Sequence, residues 1–323
     1  NAVTELVATN TVINGPGQLT NAAGKTLTFV ANVVNADLYN EGTLITKKST
    51  SINGEFVSQA GSTVRIQGQD HPIFSNAILT FNSGFTNHGL IELTDLAGQF
   101  IHTDSKLVVN NGTLTNASDG EIRTSVGNAG GARTIEAEID NQGTITVNRS
   151  VLIQKGSAEH VNSGTINVNA GTLTIDDLGD AGQFTNTGII DVQTATFAIK
   201  STSDLLINGQ GILDIGSKAD VRLEGGLRGT ATNAAQFAFL GDLRISGGTM
   251  SSPRLLEVMG IDEGPLGSGL VNNFAIGTLR LDRAYVRLVD ENDNGFGEPA
   301  EALYVDTLIV PSGSTLDLNG HSV

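Results

Sequence analysis

One phrase recurs through this chain and constrains its fold more than any other feature: an apolar residue, any residue, Asn, any residue, Gly, any residue, then Ile or Leu. It reads Leu38-Tyr39-Asn40-Glu41-Gly42-Thr43-Leu44, then Phe85-Thr86-Asn87-His88-Gly89-Leu90-Ile91. It returns as Ile139-Asp140-Asn141-Gln142-Gly143-Thr144-Ile145 and Phe184-Thr185-Asn186-Thr187-Gly188-Ile189-Ile190. Looser copies sit at Asn110-Asn111-Gly112, Asn162-Ser163-Gly164 and Asn208-Gly209-Gln210-Gly211. The glycines at 42, 89, 112, 143, 164, 188 and 211 are separated by 47, 23, 31, 21, 24 and 23 residues. The first step is about twice the others, and Ser51-Ile52-Asn53-Gly54 inside it reads as a degenerate copy. The 31-residue step, crossing Gly127 to Arg133, reads as one repeat with an inserted loop.

A second phrase follows the first by about seven residues: Ala23-Gly24-Lys25-Thr26-Leu27-Thr28-Phe29, Ala60-Gly61-Ser62-Thr63-Val64-Arg65-Ile66 and Ala170-Gly171-Thr172-Leu173-Thr174-Ile175. Each phrase is a turn followed by strict alternation, the period of a strand with one buried face. Two or three short strands with turns, repeating near 22 residues, fit one coil of a parallel β-solenoid. The alternation places Ile, Leu, Val and Phe inward, stacked on their counterparts one coil away. Asn before a Gly-containing turn suits a left-handed corner, and its amide can bond the Asn of the next coil. The hexapeptide repeat of left-handed solenoids is absent, so the right-handed form is favoured. The fold expected is all-β: a right-handed parallel β-helix (β-solenoid) over 1–250 and a β-rich C-terminal module over 251–323. An antiparallel β-sandwich is the competing architecture.

Composition narrows the function. Lys and Arg number 18 against 34 Asp and Glu, a net charge of −16 with no basic run. A nucleic-acid backbone would be repelled, so no nucleic-acid partner is expected. No apolar stretch is long enough for a transmembrane segment. There is no Cys, which removes disulfides and thiolate metal sites and leaves the compartment open. Asn1 in place of Met suits a processed secreted chain or a trimmed one.

From about Pro253 the text becomes denser and more apolar: Leu255-Leu256-Glu257-Val258-Met259-Gly260, Tyr285-Val286-Arg287-Leu288-Val289-Asp290 and Leu303-Tyr304-Val305-Asp306-Thr307-Leu308-Ile309-Val310. Within it, Asp290-Glu291-Asn292-Asp293-Asn294-Gly295-Phe296-Gly297-Glu298-Pro299-Ala300-Glu301 matches the calcium-loop pattern D-x-[DN]-x-[DN]-G-x5-E at every specified position. Ca²⁺ takes six to eight oxygens. Asp290, Asn292 and Asn294 would supply side-chain oxygens, Phe296 its carbonyl, and Glu298 and Glu301 carboxylates, while Gly295 makes the turn. The flanks read as strands rather than the helices of an EF-hand, which leaves Glu301 the least defined ligand. The ion expected is a structural Ca²⁺ that ties two strands, and the alternative is an acidic hairpin loop with no ion.

Residues 254–323 resemble a segment found near the carboxyl end of large secreted, repeat-rich surface proteins of environmental bacteria. The repeats resemble, in style, the parallel β-helices of autotransporter passengers and filamentous adhesins. The resemblance implies a secreted, extracellular or cell-surface location and no particular chemistry.

Enzyme signatures are sparse. Asp176, Asp177 and Asp180 form the one dense acidic group in the repeats and could serve a β-helix polysaccharide hydrolase as acid and base. The expected companions, Gly-His-Gly and Arg-Ile-Lys, are missing, so a solvated turn is the simpler reading. Gly24-Lys25-Thr26 echoes a P-loop tail, but its first glycine is misplaced. His71, His88, His102, His160 and His321 are scattered without metal-ligand spacing and read as surface or turn residues. Paired threonines such as Thr113 and Thr115, Thr144 and Thr146, or Thr172 and Thr174 could form an ice- or crystal-matching array, but their intervals are uneven.

The function expected is therefore a non-catalytic extracellular structural protein. Its first partner would be itself, head-to-tail, because neither Asn1 to Phe29 nor Leu316 to Val323 reads as a cap. Extracellular glycans are a second partner class. A polysaccharide-binding or polysaccharide-degrading enzyme and an adhesin are the alternatives, as is a single unit of a longer anchored protein.

Overall fold

The computed structural model describes residues 5–68, 75–96, 103–128, 131–176, 178–179, 182–234, 237–295 and 300–323. The chain forms two compact units, Asn1–Lys155 and Gly156–Val323. Each is a parallel β-helix with three strands per coil.

In the first unit, one sheet stacks Glu5–Thr9, Thr26–Val30, Thr43–Lys47, Thr63–Gly68, Leu90–Asp95, Glu121–Thr124 and Thr144–Val147. Their registers put Leu27, Leu44, Val64, Ile91, Ile122 and Ile145 in one buried file. Alternation is the cause: every second side chain of a strand points inward, and in-register parallel pairing sets like on like. Each fully buried Leu, Val or Ile contributes about 1.5–3 kcal/mol. A second sheet runs from Val12–Ile13 through Val33–Val34 and Ser49–Ile52 into the first halves of Ala77–Asn87, Ser105–Asn116 and Arg133–Asn141. The third runs from Gln18–Asn21 through Asp37–Asn40 and Phe56–Ser58 into the second halves of the same three long strands.

The third sheet ends each coil on the asparagine of the repeat phrase. Asn21, Asn40, Ser58, Asn87, Asn116 and Asn141 share one register position. Asn21 Nδ2 donates to Asn40 Oδ1 at 2.7 Å, Asn87 to Asn116 at 2.9 Å and Asn116 to Asn141 at 2.8 Å. Ser58 takes the place of an asparagine and donates Oγ–H to Asn87 Oδ1 at 2.9 Å. A second, exposed row runs Asn53 to Asn35 to Asn14, at 2.7 and 2.8 Å.

Two sequence expectations are corrected here. The stacking asparagine of its coil is Asn116, four residues before Gly120, and not Asn110, which lies in the exposed irregular middle of Ser105–Asn116. The stacked asparagines also depart from expectation, because they do not have the positive φ of a left-handed corner. Gly143 is needed for close approach: a Cβ there would sit 2.2 Å from the Ala117 carbonyl oxygen and 2.3 Å from that of Gly120. The glycine of the second phrase is the left-handed one, with φ of +71° at Gly24. Thr26 and Thr63, two residues after the glycine of that phrase, stack on Thr43, which directly follows the glycine of the first. In the first unit the two phrases are thus two ways of turning the same corner.

The second unit repeats the plan. One sheet stacks Glu159–Asn162, Gln183–Asn186, Leu205–Ile207, Leu227–Arg228, Arg254–Glu257, Tyr285–Val289 and Thr315–Asp317. The second stacks Thr165–Val168, Ile189–Val192 and Ile212–Ile215 and enters the starts of Phe237–Ser246, Ile276–Asp282 and Val305–Ile309. The third, from Thr172–Asp176 through Thr196–Lys200 and Asp220–Leu223, continues in the ends of those three strands. Parallel winding thus runs on through 251–323, where the phrase has faded. Among the described strands the antiparallel pair is Gly260–Ile261 with Glu301–Ala302, so the sandwich architecture is excluded.

Candidate metal centre in the second unit

The acidic loop leaves the strand Tyr285–Val289 and returns at Glu301–Ala302. Two neighbouring strands deliver a carboxylate to it. Glu257 closes Arg254–Glu257 in register with Val289, the last strand residue before the loop. Its Oε1 accepts from the backbone N–H of Glu291 at 2.7 Å and of Asn292 at 2.8 Å. Glu301, held opposite Ile261, accepts at Oε1 from the N–H of Asn294 and of Gly295, both at 2.6 Å. Asn294 ties the same loop to the turn beyond Leu227–Arg228, its Nδ2 donating to the carbonyls of Gly229 at 3.1 Å and Ala231 at 2.6 Å.

All three side chains are buried: Glu257 and Asn294 are 1% exposed and Glu301 5%. Among the described residues each keeps one oxygen without a hydrogen-bond partner, namely Glu257 Oε2, Asn294 Oδ1 and Glu301 Oε2. Burial pushes the Glu301 carboxyl up to about 7, aided by the charges of Asp290 and Asp293 and opposed by its two amide donors. Burial likewise raises Glu257, against the Asn292 and Glu291 amides and with the charge of Glu291 adding to it. Arg228 is the nearby counter-charge, and it is shared: Nη1 meets Glu291 at 2.6 Å while Nε meets Asp204 at 2.6 Å.

Of the sequence-predicted ligands, the fold brings Asn294 and Glu301 together. Asp290 is exposed, and Asn292 is half-buried with Nδ2 3.4 Å from Glu257 Oε1. Phe296 and Glu298 lie outside the described residues. Among the described residues no three His, Cys, Asp or Glu side chains gather as a metal cluster, so amide and carbonyl oxygens would have to complete a coordination shell. Sequence reasoning missed Glu257. Its signal was a lone acid inside the apolar run Leu255-Leu256-Glu257-Val258-Met259.

The other motifs separate. Asp176 ends its strand in register with Lys200, and Asp177 and Asp180 lie outside the described residues. Thr113 and Thr115 stack on Glu138 and Asp140, and Thr144 and Thr146 on Glu121 and Arg123, so these pairs do not line up as a threonine array. His88 is exposed beside Asp119 at 2.8 Å. His160, against expectation, is buried in Glu159–Asn162 and stacks on Phe184. His71 and His102 lie outside the described residues. Set beside known protein families, curated proteins and solved structures, the chain matches none of them.

Proposed function

We infer that this is a non-catalytic structural protein of the bacterial exterior, whose copies join by pairing the free strand edges of their coils. What supports the reading is the pair of open edges, one in each unit. Glu5–Thr9 pairs with Thr26–Val30 on one side, and its other edge has no partner strand among the described residues. Val305–Ile309 and Thr315–Asp317 pair on one side with Ile276–Asp282 and Tyr285–Val289, and their other edges have no partner strand among the described residues. The first edge faces away from the following coil and the second away from the preceding one, so they are complementary in parallel pairing. Both carry exposed apolar side chains: Leu6 is 57% exposed and Val7 55% on the first, and Leu308 is exposed on the other, with Val310 and Leu318 exposed just beyond its strands. A free ladder of N–H and C=O groups beside apolar side chains is a template for another strand. Joining one edge to the other is a heterologous contact, which makes an open filament when its rotation does not close. Electron microscopy and sedimentation of the purified chain test this. Filaments or a concentration-dependent ladder of oligomers support it, and monodisperse single particles at every concentration overturn it.

A further inference from the structure

The geometry points to a single divalent-cation site, of the hard, oxygen-seeking Ca²⁺ class, held by Asn294 Oδ1 and Glu301 Oε2 and braced by Glu257. The starting observation is the orphaned amide oxygen. Asn294 is 1% exposed and both of its Nδ2 bonds are made, yet Oδ1 has no donor among the described residues. A buried acceptor left in that state costs about 1–3 kcal/mol unless something fills it. The Glu301 carboxylate bonds the backbone N–H of that same residue through Oε1, so Oε2 is the second unfilled oxygen of one constellation.

Among the described residues no donor answers them. Arg228, the nearby cation, is committed to Asp204 and Glu291, and the carboxylates of Asp290 and Asp293 bear on Glu301 with the same sign. A cation between them would satisfy both oxygens, and the surrounding negative charges favour it. Carboxylate plus amide oxygen, with carbonyls and water completing six to eight ligands, is a hard-ion set and offers nothing to a thiophilic metal. Mg²⁺ is the poorer match, because it demands a near-ideal octahedron and gives up water reluctantly.

The site differs from the one that the loop pattern alone suggests. Glu257, outside the pattern, replaces a ligand on the loop as the second buried acid, and it holds the loop backbone at Glu291 and Asn292. In an EF-hand the glutamate at the end of the loop gives both oxygens to the ion. Here Glu301 spends Oε1 on two amides and keeps Oε2 for the ion. An ion bound there locks the Tyr285–Val289 strand, the Glu301–Ala302 strand and the Gly229–Ala231 turn to one another.

The test is calorimetry and thermal melting of the whole chain with CaCl₂, MgCl₂ or chelator. The wild type should bind about one Ca²⁺ and melt roughly 5 °C higher at saturation than in chelator. Glu301→Gln keeps the amide-accepting oxygen and removes the charge. It should fold, melt at or above the chelated wild type, and bind Ca²⁺ at least about tenfold more weakly. No heat of binding in the wild type overturns the site, as does undiminished binding in Glu301→Gln. Stabilisation of Glu301→Gln together with a wild type indifferent to Ca²⁺ also overturns it, because the cavity would then hold a proton rather than an ion.

Discussion

At the scale of single residues, the charges matter through the coil they join. Arg65, Glu92 and Arg123 occupy one register position on three successive strands. Burial pushes the Glu92 carboxyl up, but hydrogen bonds from Ser125 at 2.6 Å and Arg65 at 2.7 Å, with the charges of Arg65 and Arg123, outweigh it and hold it below its usual range. A folded pKa below the unfolded one adds stability above that unfolded value and loses it as pH falls through the folded one. The melting point of the wild type should therefore exceed that of Glu92→Gln at neutral pH, and the gap should close as pH drops below about 4.5. Arg133 and Asp95 form the opposite case, an ion pair with both side chains wholly buried. Asp95→Ala leaves the Arg133 guanidinium charged in the core and should cost about 3–5 kcal/mol by denaturant unfolding. Neither pair was legible in the sequence. Arg133 lies 38 residues from Asp95, and nothing local marks the two as partners.

At the scale of the strand and its corner, far more was legible. Alternation predicted the strands, and the phrase predicted the asparagine stack, because both depend on neighbours in sequence. The errors came where one word served two structures. Asn110-Asn111-Gly112 copies the phrase but sits in the middle of a long strand, while Asn116 and Gly120 do its work with two extra residues between them. Ser58 holds an asparagine position that no motif search would assign. The two kinds of glycine are equally indistinguishable by eye, and substitution should separate them. Gly24→Ala forces an L-residue to φ +71° with open space around it, a cost of about 1–2 kcal/mol. Gly143→Ala drives a methyl group into two backbone carbonyls of the coil beneath and should cost clearly more, or prevent that coil from closing. Comparing the two urea midpoints decides which constraint is the stronger.

At the scale of the whole molecule, the open edges give the prediction. Lysine on an edge strand is a standard defence against strand addition, since pairing would bury its charge. Val7→Lys changes an exposed side chain, so it should leave the melting point unchanged and abolish oligomers in sedimentation. Oligomers that persist in Val7→Lys would show that another surface carries them. The loop of the candidate metal centre was legible as a pattern, yet the acid that braces it came from a strand more than thirty residues upstream. Only the winding of the chain places Glu257 there.

The in-register stacking has a consequence for what length means in such a chain. Thr63 stands on Thr43 as Thr43 stands on Thr26, so residues 43–62 amount to one turn of the winding. Excising them should seat Thr63 on Thr26 and Asn87 on Asn40, replacing the Ser58 step with a direct asparagine contact at the cost of the ring of Phe56 on Phe81 and Phe85. A shortened protein that still melts in one transition would make size a quantised property. Such a sequence could gain or lose whole turns, as a spring gains or loses windings, and remain the same kind of object.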